Sequence, residues 1–554
     1  LLSLKVVDPA CGSGHFLLAA ARRIGHALAQ VRAGEDQPGP AEVRRAVRDV
    51  ITHCIYGVDL NPLAVELCKL ALWLEGHVSG MPLTFLDHHI KCGNSLVGAM
   101  PGSIAAGIPD AAFDAVTGDD KETARTLKRR NRQERQEWER GQIIFEEFIA
   151  ATGEEFDQLA AAYNTLETLA EDSYNNVQRK AAIYQQIRSA DSKWWTENTA
   201  ANLWTAAFFS EIRPGVPVPT FQTLQDYLQN PARVSGQVVG HAWELAVRHR
   251  FFHWHLEFPQ VFAAGGFDIV LGNPPWERIK LQEEEHWADD PYICRAPNKA
   301  ERTRRIAEYR RSNDPKLQAR VAAFDRAKHD HEAISKFVRQ SGRFPLTAVG
   351  DVNYYALFAE LATKLLAPRG RGGMVLPTGI ATDDTCKQFF NHLMDNNLLT
   401  GLYDFENREK LFPAVVSLQK FCLLTLAGPG NKNIEVPRFA FFLIRTEQLN
   451  DEQRVFALSA ADLALLNPNT RTCPVFRTRA DAELTRKIYR RVPVLVNERT
   501  GENPWGIAFL RMLDMSNDSH LFKTSEELKN QGFSLRGNIL SGMARSTCPS
   551  TRPR

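Results

Sequence analysis

No run in this sequence reaches the ~18 consecutive apolar residues that a membrane-crossing helix needs, so no transmembrane span is expected. A secretory leader is not expected either, because Leu1 opens almost directly onto a strand-like run rather than a charged and then apolar segment. Nine cysteines lie scattered without a single Cys-x-x-Cys pair, which fits a reducing cytosol better than a disulfide framework. Charge of either sign is in small surplus: 67 Lys and Arg against 65 Asp and Glu leave a formal net charge of +2. Near-neutrality does not exclude a nucleic-acid partner, since local patches supply the field. Repeats, low-complexity tracts and an initiating Met are also lacking. A first strand that begins at residue 4 leaves no room for upstream elements, so the chain reads as a fragment or the product of a shortened reading frame. What is there is globular in composition, 44% apolar and 24% charged. Its 554 residues can hold roughly three or four domains of about 150 each.

Residues 1–100 alternate strand and helix. Leu4–Val7 reads as a buried strand, His15 to about Val31 as a helix, and Cys54–Asp59 as a second strand. Asn61-Pro62 opens a helix over Leu63–His77, with Pro where a missing N–H costs nothing, and His89–Cys92 is a third short strand. This βαβαβ pattern predicts an α/β protein with a doubly wound, mostly parallel sheet. Residues 101–250 break the alternation with a Gly/Pro/Ala linker and long helical stretches, including the basic run Lys121–Arg140. They read as an insertion before a fourth strand, Phe267–Gly272. Residues 251–428 complete the sheet around a second, charged insertion at 277–343. A helix over Tyr354–Leu366, a strand Gly373–Pro377, a helix Thr385–Asn396 and strands near Leu399–Phe405 and Leu418–Leu426 follow. Residues 429–554 change to short strands and turns and are expected to form a separate mixed α/β domain.

The first strand ends in Asp8-Pro9-Ala10-Cys11-Gly12-Ser13-Gly14-His15-Phe16-Leu17. Two glycines at a strand-to-helix turn let backbone approach a ligand that a Cβ would block. Asp8 is suited to a ligand ammonium or its water. A dinucleotide site would want a third glycine where Leu17 stands, with its pyrophosphate on the helix N-terminus. Bulky His15 and Phe16 suit a ligand without phosphates. Asp59, closing the second strand, is placed for a bidentate bond to ribose hydroxyls, a role shared by dinucleotide and S-adenosylmethionine sites. Asn94, in Gly93-Asn94-Ser95-Leu96, can bind an adenine edge. Each of these acids also reads as a helix N-cap.

Asn273-Pro274-Pro275-Trp276, at the end of the fourth strand, is the discriminating element. An aromatic amine is a poor nucleophile because its lone pair is delocalised into the ring. The Asn273 side-chain oxygen and the Pro274 carbonyl can accept its two hydrogens and shift the nitrogen toward tetrahedral geometry. Pro274 and Pro275 fix the direction of that carbonyl. Trp276 offers a face on which an extruded base can stack, at ~1–3 kcal/mol per base. Positioning and pre-oriented acceptors then supply most of the catalysis without a strong general base.

With these motifs in this order, the chain resembles the bacterial DNA adenine-N6 methyltransferases of the large type IIG restriction–modification and BREX phage-defence kind. Asp8–Leu17, with Asp8, Pro9, Ala10, Gly12, Gly14 and Phe16 as contacts, matches the family's cofactor motif. Asp59 matches its ribose position, Asn94 its adenine-binding turn, and Asn273–Trp276 its catalytic motif. Trp254–Phe262 and Asp351–Tyr355 look like the family's surroundings. Leu411–Val415 resembles the segment whose aromatic covers the other face of the flipped base, which makes Phe412 the candidate there. Asn503–Gly506 and Met515–Ser519 resemble its target-recognition region.

The resemblance implies a Rossmann-like, S-adenosyl-L-methionine-dependent fold with long helical insertions. It also implies a bacterial cytoplasmic enzyme, nucleoid-associated when bound to its double-stranded DNA substrate, with other restriction–modification or defence subunits as further partners. No membrane partner and no metal are expected. Methylation of another planar amine, such as a protein glutamine or an RNA base, is the rival activity. Enzymes of that sort are generally compact, whereas the ~150-residue insertion and the recognition-like region favour DNA. A truncated, non-catalytic DNA-binding remnant is the third reading.

Two departures from the family pattern are expected, the lack of a motif upstream of the first strand and of a nuclease domain that some relatives carry. From Ser541 onward the tail looks unstructured. Read in another frame from permitted codons it can spell Pro-Leu-Tyr-Glu-Ala-Lys, which is family-like, so a frameshifted gene is expected. Asp59 with Glu66-Leu67-Cys68-Lys69 mimics a nuclease pattern but falls inside a helix. The basic runs from Lys121 to Arg135 and from Arg302 to Arg311 carry interspersed or flanking acids and read as solvated helix faces rather than phosphate tracks. His88-His89 lacks further ligands at metal spacing and reads as structural or exposed.

Overall fold

Val6–Asp8 (β1) is the hub of the sheet. It pairs in parallel with Ile55–Asp59 (β2) on one edge and with Phe267–Gly272 (β4) on the other. Val6 and Val7 are both wholly buried, as a strand covered on both faces requires. The computed structural model describes residues 1–141, 157–431, 436–508, 510, 514, 517–537 and 539–541. Within them the other strands of the sheet are Ile90–Cys92 (β3), Leu366–Leu376 (β5), Leu399–Glu406 (β6), Lys420–Ala427 (β7), Arg438–Leu443 (β8) and Phe456–Ala457 (β9). Their order is β3-β2-β1-β4-β5-β7-β6-β8-β9. The first five run parallel, and β7 is antiparallel to both neighbours. Strand order reverses between β1 and β4, where a doubly wound sheet opens its ligand crevice at the carboxyl ends of the strands. The expected α/β, mostly parallel architecture is therefore the observed one.

Several boundaries differ from the sequence reading. A helix over Pro40–Cys54 (α2) has no counterpart in it; this helix packs on the helix His15–Ala33 (α1) and runs straight into β2. Its charged exterior hides an inner face of Ala46, Val47, Val50, Ile51 and Cys54. The strand expected at Gly373–Pro377 extends back to Leu366, with a register shift against Phe267 and Ile269 of β4. The Pro/Gly-rich segment 367–372, unassigned between the expected helix and strand, is a distorted part of the strand. In the helix Pro62–Glu75 (α3), Val65, Cys68 and Leu72 face inward, while Leu63, Leu67, Leu70 and Leu74 are exposed.

The expected boundary at Gly428 is corrected. β8 pairs in parallel with β6, and β9 pairs with β8. The compact unit runs from Leu1 to Val492. The physical reason is the outer edge of β6, which would lie open without β8; buried Phe439, Phe441 and Phe456 then cover it. The second unit, Pro493–Arg554, has the hairpin Ser534–Arg536/Ile539–Ser541 and a short helix Ser525–Asn530 capped by Thr524 and Glu527. Trp505 is exposed there. Residues 515, 516 and 542–554 lie outside the described residues, and with them part of the recognition-like segment and nearly all of the expected tail. No helix among the described residues is long and apolar enough to cross a membrane.

The insertion between β3 and β4 shares the main core with the sheet. Its central helix, Lys193–Phe209 (α4), is buried almost continuously from Asn198 to Phe209. A charged cluster ties it to the sheet. Lys91 on β3 donates to Glu257 Oε2 at 2.8 Å, and the Arg188 guanidinium forks onto both Glu257 oxygens at 2.8 and 3.1 Å. Burial works against the Glu257 carboxylate, but Arg188 and Lys91 outweigh it and hold its pKa down to about 2. Stability from such a group is present above its unfolded value near 4.5 and is lost as pH falls toward 2. Glu257→Gln leaves two cations facing a neutral amide. In urea melts it is expected to cost roughly 3–5 kcal/mol and to weaken the acid dependence over that window.

Candidate active site

The turn after β1 is built by hydrogen bonds to the neighbouring strand tips. Asp8 is buried, and its Oδ1 accepts the Ala10 N–H at 3.0 Å. The buried Pro9 carbonyl accepts the Ser95 hydroxyl at 2.6 Å, which ties this turn to the one after β3. Gly12, at φ +53, donates its N–H to Asp59 Oδ2 at 2.8 Å. Asp59 Oδ1 accepts the Asn61 N–H, also at 2.8 Å. The Asp59 carboxylate is thus held by backbone on both oxygens, each of which keeps a second lone pair. Gly14 has φ +86, and a Cβ there would stand 2.6 Å from Cys68 Sγ. Only glycine serves at that position on both counts. Phe16 projects from the first turn of α1, 37% exposed.

Asn94 is half-buried; its side-chain oxygen accepts the Leu96 N–H at 3.2 Å, and its own N–H donates to the Arg250 carbonyl at 2.7 Å. A cavity of about 510 Å³ brings Asp59 and Asn94 together with Leu60, Asn61 and Pro62. Its far wall is Arg248, His249 and Arg250, from the end of the insertion helix Gly236–His249 (α5). The Arg250 guanidinium donates to the Leu60 carbonyl across 190 residues. No local pattern signals this contribution, because the contact exists only once the insertion folds back over the strand tips.

On the other side of β1, Gly272 passes so close to Asp8 that a Cβ would sit 2.6 Å from Asp8 Oδ1. The cofactor-type turn and the Asn-Pro-Pro-Trp turn therefore begin at touching residues. Asn273 is exposed, Pro274 buried, Pro275 exposed and Trp276 half-buried. The Trp276 ring packs against the main core and against a smaller cluster of Val375, Phe405 and Phe421, and its indole N–H is buried without a partner. Phe412, 40% exposed, stands edge-on to Phe421 with ring centroids 5.1 Å apart. Trp276 and Phe412 thus lean on the same aromatic cluster. Fully buried Asn407 holds the Phe412 loop, accepting the Phe412 N–H at 2.9 Å and donating to the Phe412 and Val415 carbonyls.

Burial pushes the Asp8 carboxyl up to about 7, with the Asp59 charge adding and the Ala10 N–H opposing. The nuclease-like residues Glu66 and Lys69 pair with each other on α3, and Lys69 also pairs with Asp87. Basic residues of the two charged runs are largely neutralised in place. Arg132 and Arg135 meet Asp110, Arg304 and Arg305 meet Glu301, and Arg310 meets Asp325. His88 and His89 are wholly buried and beside Glu167, so neither is exposed. Burial drives both rings well below their ordinary range, His89 to about 4.

Residues 53–309 match the family model of the Eco57I restriction-modification methylase, and residues 1–96 match that of the DNA-methyltransferase domain of MmeI. Both models are of methyltransferases, and both fall on the part of the chain that carries β1 to β4. Over residues 1–309 the chain is similar to the restriction–modification methylases of the Eco57I and MmeI kind. It is 24% identical over 298 residues to RM.MjaORFECS2P of Methanocaldococcus jannaschii, named as a type II restriction enzyme and methyltransferase; the match covers 51% of this chain and 23% of the relative. It is 38% identical over 112 residues to the adenine-specific methyltransferase PglX of Streptomyces coelicolor, covering 18% of this chain and 8% of PglX. Less than a quarter of either curated relative is therefore spanned. Among solved structures, a nuclease-deletion mutant of the Type ISP restriction-modification enzyme LlaGI aligns over 88% of this chain and 23% of its own. The identity there is 9% and the TM-score 0.30.

Two outcomes follow from the Asp8 geometry. Gly272→Ala drives a methyl group into the Asp8 carboxylate and is expected to destabilise the chain by about 1–3 kcal/mol in denaturant melts. An unchanged midpoint would contradict the close approach. Because the folded Asp8 carboxyl titrates near 7 rather than 3.8, the folded state loses stability as pH rises between those values. Asp8→Asn is expected to flatten that part of the profile, worth on the order of 4 kcal/mol, in ligand-free thermal melts from pH 4 to 8.

Proposed function

We propose that this chain transfers a methyl group from S-adenosylmethionine to the N6 amine of an adenine flipped out of double-stranded DNA, in a restriction–modification or phage-defence system. The observation that carries this reading is the contact of Gly272 with Asp8, which starts the Asn273–Trp276 turn beside the Asp8–Gly14 turn at the reversal of strand order. When bound, S-adenosylmethionine supplies an electrophilic methyl group on a sulfonium. The residues present suit it: Asp8 for the ammonium or its water, Asp59 through its free lone pairs for the ribose hydroxyls, and Asn94 with the cavity beside it for the adenine. Pro9 and Ala10 shape the turn, and Gly12 and Gly14 keep it clear of side chains. Exposed His15 and Phe16 stand where a dinucleotide would need room for its pyrophosphate.

On the substrate side, the Asn273 side-chain oxygen and the Pro274 carbonyl accept the two amine hydrogens and localise the nitrogen lone pair. Pro275 restrains the direction of that carbonyl. Trp276 and Phe412 hold the extruded base by stacking, in place of the neighbours it leaves in the duplex. Asn273 is exposed, so the proton shed by the methylated nitrogen passes to solvent. Duplex DNA is the partner, together with further subunits of the same defence system.

The test is methyl transfer from labelled S-adenosylmethionine to duplex DNA, RNA and protein, with the modified DNA nucleoside identified by mass spectrometry. N6-methyladenine in DNA is expected. Asn273→Ala is expected to lower kcat by about 100-fold or more while cofactor affinity changes little. Methyl incorporation confined to RNA or protein would sink the DNA reading, and a purified chain that binds DNA but no S-adenosylmethionine would be a non-catalytic remnant.

A further inference from the structure

His88 and His89 lie side by side just ahead of β3, both wholly buried, with ring centroids 3.9 Å apart. Glu167, in the helical stretch 157–167 of the insertion, reaches them from 78 residues beyond His89. Its Oε1 lies 2.7 Å from His89 Nε2 and 3.8 Å from His88 Nε2. One donor atom from each residue falls within 4.8 Å of the other two, and no other such group occurs among the described residues.

The second observation is what these groups leave unmade. Both ring nitrogens of His88, Nδ1 of His89 and Oε2 of Glu167 are sealed from water without a hydrogen-bond partner. Gln260, whose amide nitrogen donates to Glu167 Oε1 at 3.1 Å, has its own oxygen orphaned as well. Each unsatisfied buried polar atom costs stability, so several in one spot call for an explanation. Close packing does not supply one, because apolar side chains would fill the same space without that cost. The rings are nonetheless held in place: Phe85 stacks on His88 at 5.3 Å and Tyr56 lies against His89 at 4.0 Å. Neighbouring cations are committed elsewhere, Lys180 to Glu171 and Lys91 to Glu257, while the Lys5 ammonium donates to the His53 carbonyl.

We propose that His88, His89 and Glu167 hold a divalent transition-metal ion, with zinc the best match to two imidazole nitrogens and one carboxylate oxygen. The observed separations of 2.7 and 3.8 Å bracket the roughly 3.3 Å between ligands of a tetrahedral site with ~2.0–2.1 Å bonds. On binding, neutral His89 presents Nε2 to the ion with its single ring proton on Nδ1. Its hydrogen bond to Glu167 gives way to bonds from both residues to the ion, and no proton is released. The fourth position falls to Gln260 Oε1 or to water. The role of the ion is structural, since it pins the insertion, through Glu167, to the β2–β3 edge. Tyr56 of β2 already donates its hydroxyl to the same Glu167 oxygen at 3.2 Å.

The experiment is elemental analysis of the full chain, purified without chelators or a metal-affinity step. About one equivalent of zinc is expected, replaceable by Co²⁺ with the visible absorption of a tetrahedral site. Stripping the ion with a strong chelator is expected to shift the folding equilibrium by roughly 100-fold relative to protein held in zinc a hundredfold above its Kd. Restored zinc should reverse the shift. Glu167→Gln, which keeps the side-chain volume, is expected to abolish stoichiometric binding. Should that variant fail to fold, the unmodified chain decides alone. Metal content well below one equivalent, with no response of the melting curve to chelator, Zn²⁺ or Co²⁺, would overturn the proposal.

Discussion

Parallel pairing of β1 along both of its edges is the constraint on which the candidate site depends. Parallel strands all end on the same side of the sheet, so pairing with β2 and β4 brings Asp59 and Gly272 to the same end of the sheet as Asp8. The approach of β4 is close enough to require glycine at position 272. It also completes the burial of Asp8, whose carboxyl is pushed up to about 7 for that reason. A buried acid of this kind costs stability, and such costs are retained where a site has a use for them. On the proposed reading, the use is a carboxyl that a cationic ligand would draw into its charged form beside a turn of hydrogen-bond acceptors.

The insertion between β3 and β4 is a working part of that arrangement rather than an appendage. Its last helix ends in Arg248, His249 and Arg250, which close the cavity beside Asp59 and Asn94. Its position relative to the sheet is set by Lys91, Glu257 and Arg188 in a low-dielectric interior, where unpaired charges are penalised. Glu167 adds a second tie to the same edge. The wall of the cavity and the strand tips are thus held by two polar contacts that join distant parts of the chain.

Much of this was legible in the residues themselves. The alternation of strand and helix in residues 1–100 and the apolar run Phe267–Gly272 were enough to place β1 to β4, because buried parallel strands are short apolar runs bounded by turns. Asp8, Gly12, Gly14, Asp59 and Asn273–Trp276 could be singled out because each sits where a strand ends and side-chain chemistry has few local alternatives. Other features were hidden. The Pro40–Cys54 helix carries its apolar positions behind a charged face, and Pro368, Gly370 and Gly372 conceal the irregular first half of strand β5. The supposed boundary at Gly428 failed because short, turn-rich strands look alike whether they start a new domain or cover the edge of an old one.

The order of motifs along the chain, the chemistry available at each turn and the glycines demanded there are local properties, and the amino-acid sequence determined them by itself. Which turns face one another was decided by tertiary structure. Gly272 meets Asp8, Arg250 reaches Leu60, and Glu167 arrives beside His88 and His89. Each of those meetings spans scores to hundreds of residues. Spacing in sequence carries no signal for them, because they arise when the sheet aligns its strand ends and the insertion buries its apolar helix against it.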